Sequence, residues 1–339
     1  MTHLESTLAL IAAIIGGLVA PCLIKLTYPF LARYALARPN ARSSHRVPTP
    51  QGAGIAVIAA TLSASSAALG WIGFSDLRFA APVFFATLFI AAVGFFDDIK
   101  PIPVVPRLAL QSLAVSALVF NAPSDLQIMP LLPLWLERSL ILLVSVWFVN
   151  LVNFMDGLDW MTVAEVIPVT SAIVVLGLSR CIPAQIAIIA SALLGAIIGF
   201  APFNRPVAKV FLGDVGSLPI GLLMGWFLLE LAYHQRLASA LLLPLYYLCD
   251  ATFTLLWRLV RGEPIWVAHR SHFYQRATDN GHTVQRVVTE VFILNVILST
   301  LAIATALAPS FFWDVIALFV GTILVSLQMY RFSCRVDRR

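Results

Sequence analysis

The chain has 339 residues, of which 60% are hydrophobic and 12% charged, with a formal net charge of +5. A soluble domain carries charged residues at about 25%, so this composition excludes an ordinary soluble enzyme and puts the chain in a lipid bilayer. The basic excess gives no sign of a nucleic-acid partner, because the arginines sit in short loops between apolar runs, where they orient a membrane chain.

Apolar runs approaching the ~20 residues needed to cross hydrocarbon as helix occur at about 7–30, 53–73, 79–96, 106–121, 132–152, 162–178, 184–201, 216–233, 238–258, 287–307 and 311–331. The first has no basic residue ahead of it, is too long for a signal-peptide core and lacks a small-residue cleavage site, so it reads as a retained span. The expectation is an all-α, polytopic transmembrane bundle of about 11 spans, with ten the alternative count. It forms one integral-membrane domain over residues 1–339. Cys22, Cys181, Cys249 and Cys334 are scattered without CxxC spacing, which indicates neither zinc nor a disulfide framework.

Basic residues fall in alternate loops. Loop 31–52 holds Arg33, Arg38, Arg42 and Arg46, and loop 97–107 holds Lys100 and Arg107. Loop 202–215 holds Arg205 and Lys209, loop 258–286 holds Arg258, Arg261, Arg270, Arg276 and Arg286, and the tail holds Arg331, Arg335, Arg338 and Arg339. The opposite loops carry Arg78, Arg138, Arg180 and Arg236. The bias puts the N-terminus outside and the C-terminus in the cytoplasm, as an odd number of spans requires. On this map the polar clusters of loops 31–52, 97–107, 153–162, 202–215 and 259–286 share the cytoplasmic face.

Five constellations carry chemistry. HRVPTPQGAGI puts His45 and Arg46 ahead of a Pro/Gly-rich turn. In GFFDDIKPIPVVPRL, Asp97 and Asp98 end an apolar run. Adjacent, partly desolvated carboxylates repel, and a cation or a proton-transfer role makes the pair tolerable. In NLVNFMDGLDWMT, Asn150, Asn153 and Asp156 recur at i, i+3 and i+6, roughly one helical face, which at the end of a span points to a polar cavity. Asp159 is equally well read as a cap of the next helix through Thr162. In VFLGDVGSLPIGLL, glycines flank Asp214 where a span begins, a place suited to a phosphate with a metal between. Capping by Asp214 or Ser217 is the plainer account. AHRSHFYQRATDNGH combines His269, Arg270, His272, Arg276 and His282 with aromatics, donors suited to a diphosphate. A basic loop obeying the orientation rule would look the same. Asp250 stands alone within a span, where an ionisable group is a functional candidate or pairs with a neighbouring helix.

Together, in this order, the motifs resemble the polyprenyl-phosphate N-acetylhexosamine-1-phosphate transferase family. The resemblance implies transfer of a sugar phosphate from a UDP-N-acetylhexosamine to undecaprenyl phosphate in a bacterial inner membrane, with Mg²⁺, or Mn²⁺ as the alternative. It implies Asp97, Asp98 and His272 as catalytic residues and Asp214 and Asp156 as metal ligands. Arg46, Asn153, Asp156, His269 and Arg270 are implied to bind substrate. A homodimer is left open. Two departures stand out. The family's DGxDG is DGLDW here, with Trp160 in the glycine place, and a run of three histidines is replaced by HRSHFYQR. The second departure is closer to the branch that initiates O-antigen than to the muramyl-pentapeptide enzymes. GlcNAc or a deoxy analogue is the expected sugar. A secondary transporter would call for midplane polar residues, broken helices and an inverted repeat, and of these only Asp250 leans that way.

Overall fold

The computed structural model describes residues 1–37, 48–264 and 269–336. Among these, the helices in chain order are α1 (His3–Tyr34), α2 (Gly54–Ile72), α3 (Phe74–Ile99), α4 (Val104–Val119), α5 (Leu134–Met155), α6 (Met161–Leu178) and α7 (Ala184–Phe200). They continue as α8 (Asp214–Tyr233), α9 (Leu237–Leu242), α10 (Leu245–Val260), α11 (Phe273–Asp279), α12 (Val284–Leu307) and α13 (Phe311–Ser333). Two short strands, β1 (Leu36–Ala37) and β2 (Thr49–Pro50), pair antiparallel beyond α1.

Helix is the form an apolar chain takes in hydrocarbon, because it pairs its own N–H and C=O groups where water cannot. Among the described residues, eight helices are long and apolar enough to cross a membrane: α1, α2, α3, α5, α6, α8, α12 and α13. The fourth and seventh apolar runs are helical but shorter, at 16 and 17 residues. The ninth is broken: α9 ends at Leu242 and α10 starts after Pro244, which lacks the N–H that would continue the ladder. The protein is a multi-pass, all-α membrane bundle. Its outer surface exposes Leu18, Leu26, Phe85, Leu143, Phe253, Trp257 and Phe319, as suits a lipid solvent.

Lipid tails are as apolar as leucine, so helices in a bilayer gain from close approach at small residues. A Cβ on Gly195 of α7 would lie 1.9 Å from the Ala13 carbonyl oxygen of α1. One on Gly94 of α3 would lie 2.2 Å from the Asp214 carbonyl oxygen, and one on Gly54 of α2 would lie 2.2 Å from Gly216 Cα of α8. The last two contacts bring the ends of α2, α3 and α8 together. The Gly52 and Ala53 N–H groups then donate to the Phe211 carbonyl and Gly54 N–H to that of Leu212.

The described parts of the five polar loops meet at one end of the bundle, through contacts such as Gln51–Asp98, Trp160–Asn204 and Tyr274–Phe154. The amino terminus lies at the other end, where Met1, Thr2 and Glu5 share a cavity with Gly177, Arg180 and His234. In the tail after α13, Val336 donates its N–H to the Asn280 carbonyl at 2.9 Å, next to α11 at the polar end.

Candidate active site

The site is built on the start of α8. Gly213 precedes Asp214 with a φ of +77°, which glycine takes without strain. The helix has no capping side chain from its own turn. The cap comes from α3: Asp98 Oδ1 accepts the Asp214 N–H and Oδ2 accepts the Val215 N–H, each at 3.0 Å. A helix N-terminus leaves such donors unpaired and favours negative charge. Gln51 Nε2 also donates to Asp98. A Cβ on Gly213 would lie 2.7 Å from Asp98 Oδ2, so this glycine makes room for the carboxylate.

The neighbouring Asp97 accepts the Ile102 N–H on Oδ1 and pairs through Oδ2 with Arg107 Nη1 at 2.9 Å. Its carboxyl is within hydrogen-bonding reach of Asp214. From α5, Asn153 Nδ2 donates to Asp214 Oδ2 at 3.4 Å, and Asn153 Oδ1 accepts from Ser217 Oγ at 2.7 Å. Asp156, just past α5, accepts from the Thr162 hydroxyl. Burial pushes the Asp156 carboxyl up to about 7; the charges of Asp159 and Asp98 add to the rise, and the Thr162 bond opposes it.

Asp159 does not cap the next helix through Thr162. That hydroxyl is taken by Asp156, and Asp159 Oδ2 accepts the Ala208 N–H at 3.0 Å. Trp160 opens α6 at a φ of +64°, the left-handed region in which a bulky side chain is rare. Its backbone N–H donates to Asn204 Oδ1 at 2.8 Å and its indole N–H to the Ala201 carbonyl at 2.6 Å. The Asp159–Trp160 pair thus pins the loop that leads into Gly213 and Asp214, and the indole bond holds a conformation glycine would adopt freely.

The histidine segment reaches the site through α11. His272 Nδ1 lies 3.2 Å from Asp250 Oδ1, and its ring stacks on those of His269 at 4.9 Å and Tyr274 at 5.7 Å. The Tyr274 hydroxyl donates to the Phe154 carbonyl at 2.9 Å, docking the turn on the end of α5. Arg270 pairs with Asp279 at 3.2 Å and lines a cavity of about 810 Å³ between α10, α11 and α13. Arg46 and His45 lie outside the described residues. The structure therefore gathers Asp97, Asp98, Asn153, Asp156 and Asp214, with His269 and His272 on the adjoining turn. It adds Gln51, Arg107 and Ser217, which sequence reasoning left in supporting parts. Their proximity to the PTPQGAG turn, the DD pair and the GDVGS turn was the available signal.

Facing carboxyl groups in a buried setting share a proton or hold a cation, and all-oxygen donors suit a hard one. Among the described residues no three or more His, Cys, Asp or Glu side chains form a metal cage. Asp97 and Asp214 would therefore offer a cation only a partial shell, of the kind that water and phosphate oxygens complete around Mg²⁺.

Residues 80–232, from α3 to the end of α8, match the family model of glycosyl transferase family 4. The chain is 29% identical over 293 residues to decaprenyl-phosphate N-acetylglucosaminephosphotransferase of Mycobacterium leprae, covering 76% of this chain and 74% of that protein. It is 29% identical over 329 residues to the protein of the same name from Mycobacterium tuberculosis, covering 86% and 80%. To phospho-N-acetylmuramoyl-pentapeptide-transferase of Bacillus licheniformis it is 30% identical over 236 residues, covering 62% and 72%. A multi-pass bundle with acids converging on a helix N-terminus, together with these relatives, defines a membrane-embedded phosphotransferase. The chain belongs to glycosyl transferase family 4.

Proposed function

We propose that the protein transfers N-acetylhexosamine-1-phosphate from a UDP-sugar to undecaprenyl phosphate and releases UMP. The observation that carries this reading is the meeting of Asp97, Asp98 and Asp214 at the N-terminus of α8, with Asn153 and Asp156 beside them. An oxygen of the lipid phosphate attacks the β-phosphorus of the UDP-sugar. The bond from that phosphorus to the bridging oxygen breaks, and the oxygen leaves on UMP. Such transfers ask a protein mainly for positioning and charge stabilisation.

Asp214, with Asp156 as the expected second ligand and Asp97 beside it, would hold Mg²⁺ or Mn²⁺, which would supply neutralisation of the diphosphate charge. Asp97 and Asp98 orient the acceptor phosphate or take its proton, and Arg107, paired with Asp97, offers a guanidinium to a phosphate. Asn153 and Asp156 face the nucleotide sugar, and Arg46, His269, Arg270 and His272 contact phosphates. Basic loops at the polar end support a cytoplasmic site in a bacterial inner membrane, with the N-terminus outside. The HRSHFYQR variant supports initiation of O-antigen or a related envelope glycan. A muramyl-pentapeptide donor is the second reading, favoured by the 30% identity to the Bacillus licheniformis enzyme.

The test uses purified protein in nanodiscs with undecaprenyl phosphate, Mg²⁺ and a panel of UDP-N-acetylhexosamines, with mass detection of the lipid product. A lipid diphosphate sugar and stoichiometric UMP are expected. Product formed only from the muramyl-pentapeptide donor would replace the first reading with the second. Vesicle uptake of substrate without UMP release would sink both.

A further inference from the structure

Asp250 is an acid the transfer chemistry does not use, fully buried in α10. A carboxylate inside a membrane helix is costly, and here five donors hold it. Oδ1 accepts from His272 Nδ1 at 3.2 Å, the Phe273 N–H at 3.0 Å and Thr254 Oγ1 at 3.3 Å. Oδ2 accepts from the Tyr246 hydroxyl at 3.0 Å and the Tyr274 N–H at 3.1 Å. Phe273 and Tyr274 are the first residues of α11, and His272 is its N-cap residue, with no capping bond from its own side chain. Asp250 therefore caps α11 from a different helix and grips the imidazole with one of the same oxygens.

A carboxylate only accepts, so Nδ1 of His272 carries the proton and Nε2 is the ring nitrogen left for a ligand. The rings of His269 and Tyr274 limit rotation of the imidazole, and the Tyr274 hydroxyl ties the turn to Phe154, two residues before Asp156.

We propose that Asp250 is a positioning residue of the transfer site: it acts through His272, fixing the imidazole and the first turn of α11 so that Nε2 meets a phosphate of the nucleotide sugar. The kinetic consequence rests on the phosphotransfer reading; the imidazole geometry does not. Removing the carboxylate frees the ring to rotate or change tautomer, the effect seen when an acid that orients a catalytic histidine is lost.

The test compares Asp250→Asn, His272→Gln and the double variant in nanodiscs. Each single change is expected to lower kcat on the order of 100-fold with KM shifted less than about threefold. The double variant is expected within about threefold of the weaker single, because both changes remove one interaction. Multiplying losses would overturn the proposal. Tyr246→Phe, which deletes a donor to Oδ2 without touching His272, is expected to keep kcat within about threefold; a loss matching that of Asp250→Asn would assign the effect to packing. A measurement independent of transfer and of variant folding is ¹⁵N NMR of histidine-labelled wild-type protein, with His272 assigned by His272→Gln. A protonated Nδ1 is expected. A neutral ring protonated at Nε2 would overturn the proposal even if the transfer assay succeeds, whereas a protonated Nδ1 in a protein without transfer activity would fault the phosphotransfer reading instead.

Discussion

Asp98 and Asp250 perform the same local task in two parts of the molecule. Each reaches from one helix to the N-terminus of another and accepts two consecutive backbone N–H groups, those of α8 and α11 respectively. Their surroundings differ. Asp250 is completed by two hydroxyls and an imidazole. Asp98 has the Gln51 amide, but it shares its neighbourhood with Asp97, Asp156 and Asp214. A buried acid matched by donors builds scaffold. A group of acids crowded beyond its donors either shares protons or carries unbalanced negative charge, and under the proposed function a cation and a diphosphate would take up that charge.

The sharpest way to break this contrast is Asp214→Asn. Transfer is expected to fall by about 10³-fold, the scale of losing a main charge-stabilising group, and a near-wild-type rate of UMP release would remove Asp214 from the mechanism. Next comes the cation itself. If the surplus charge binds Mg²⁺, thermal melting shifts upward with Mg²⁺, by about 2.7 kcal/mol at a hundredfold excess over Kd. In chelator the Asp214→Asn protein melts higher than wild type, because repulsion is relieved, and it loses the Mg²⁺ response. An unchanged response would place the cation elsewhere.

Gly94→Ala probes the frame under the same cluster. Its Cβ would press on the Asp214 carbonyl at 2.2 Å, so a destabilisation of about 1–3 kcal/mol is expected in denaturation. Asp156 gives a pH test in chelator. Its carboxyl holds a proton to about 7 in the folded protein, against an ordinary aspartate value of 3.8. The fold then binds the proton more tightly, so stability is lost as pH rises between those values. Asp156→Asn flattens that decline in melting temperature; an unaltered slope counts against the burial of this acid. The smallest effect is expected at Trp160→Gly, where relief of the left-handed φ, about 1 kcal/mol, offsets loss of the indole bond to Ala201.

The bundle was legible because spanning hydrocarbon demands long apolar runs, and each run is helical. The break at Pro244 was present as a proline but hidden inside one continuous apolar stretch. The seven residues of α11 were not legible, since their helix depends on Asp250, more than twenty residues upstream and in another element. Convergence of the acids could be read from loop alternation alone. Their division of labour could not: nothing in the pair Asp97–Asp98 says that one binds Arg107 and the other caps α8. The capping alternative for Asp159 failed for the same reason, as Ala208, whose N–H it accepts, lies in a distant loop.

The back-to-back contact of Gly54 and Gly216 has a consequence for how this chain can diverge. A methyl group on Gly54 would lie 2.2 Å from Gly216 Cα, and one on Gly216 would lie 2.6 Å from Gly54 Cα. Neither position can mutate first, because a change at one does nothing to vacate space at the other. Random mutagenesis will therefore find both positions closed to single changes, and tolerated variation must fall on residues other than this pair.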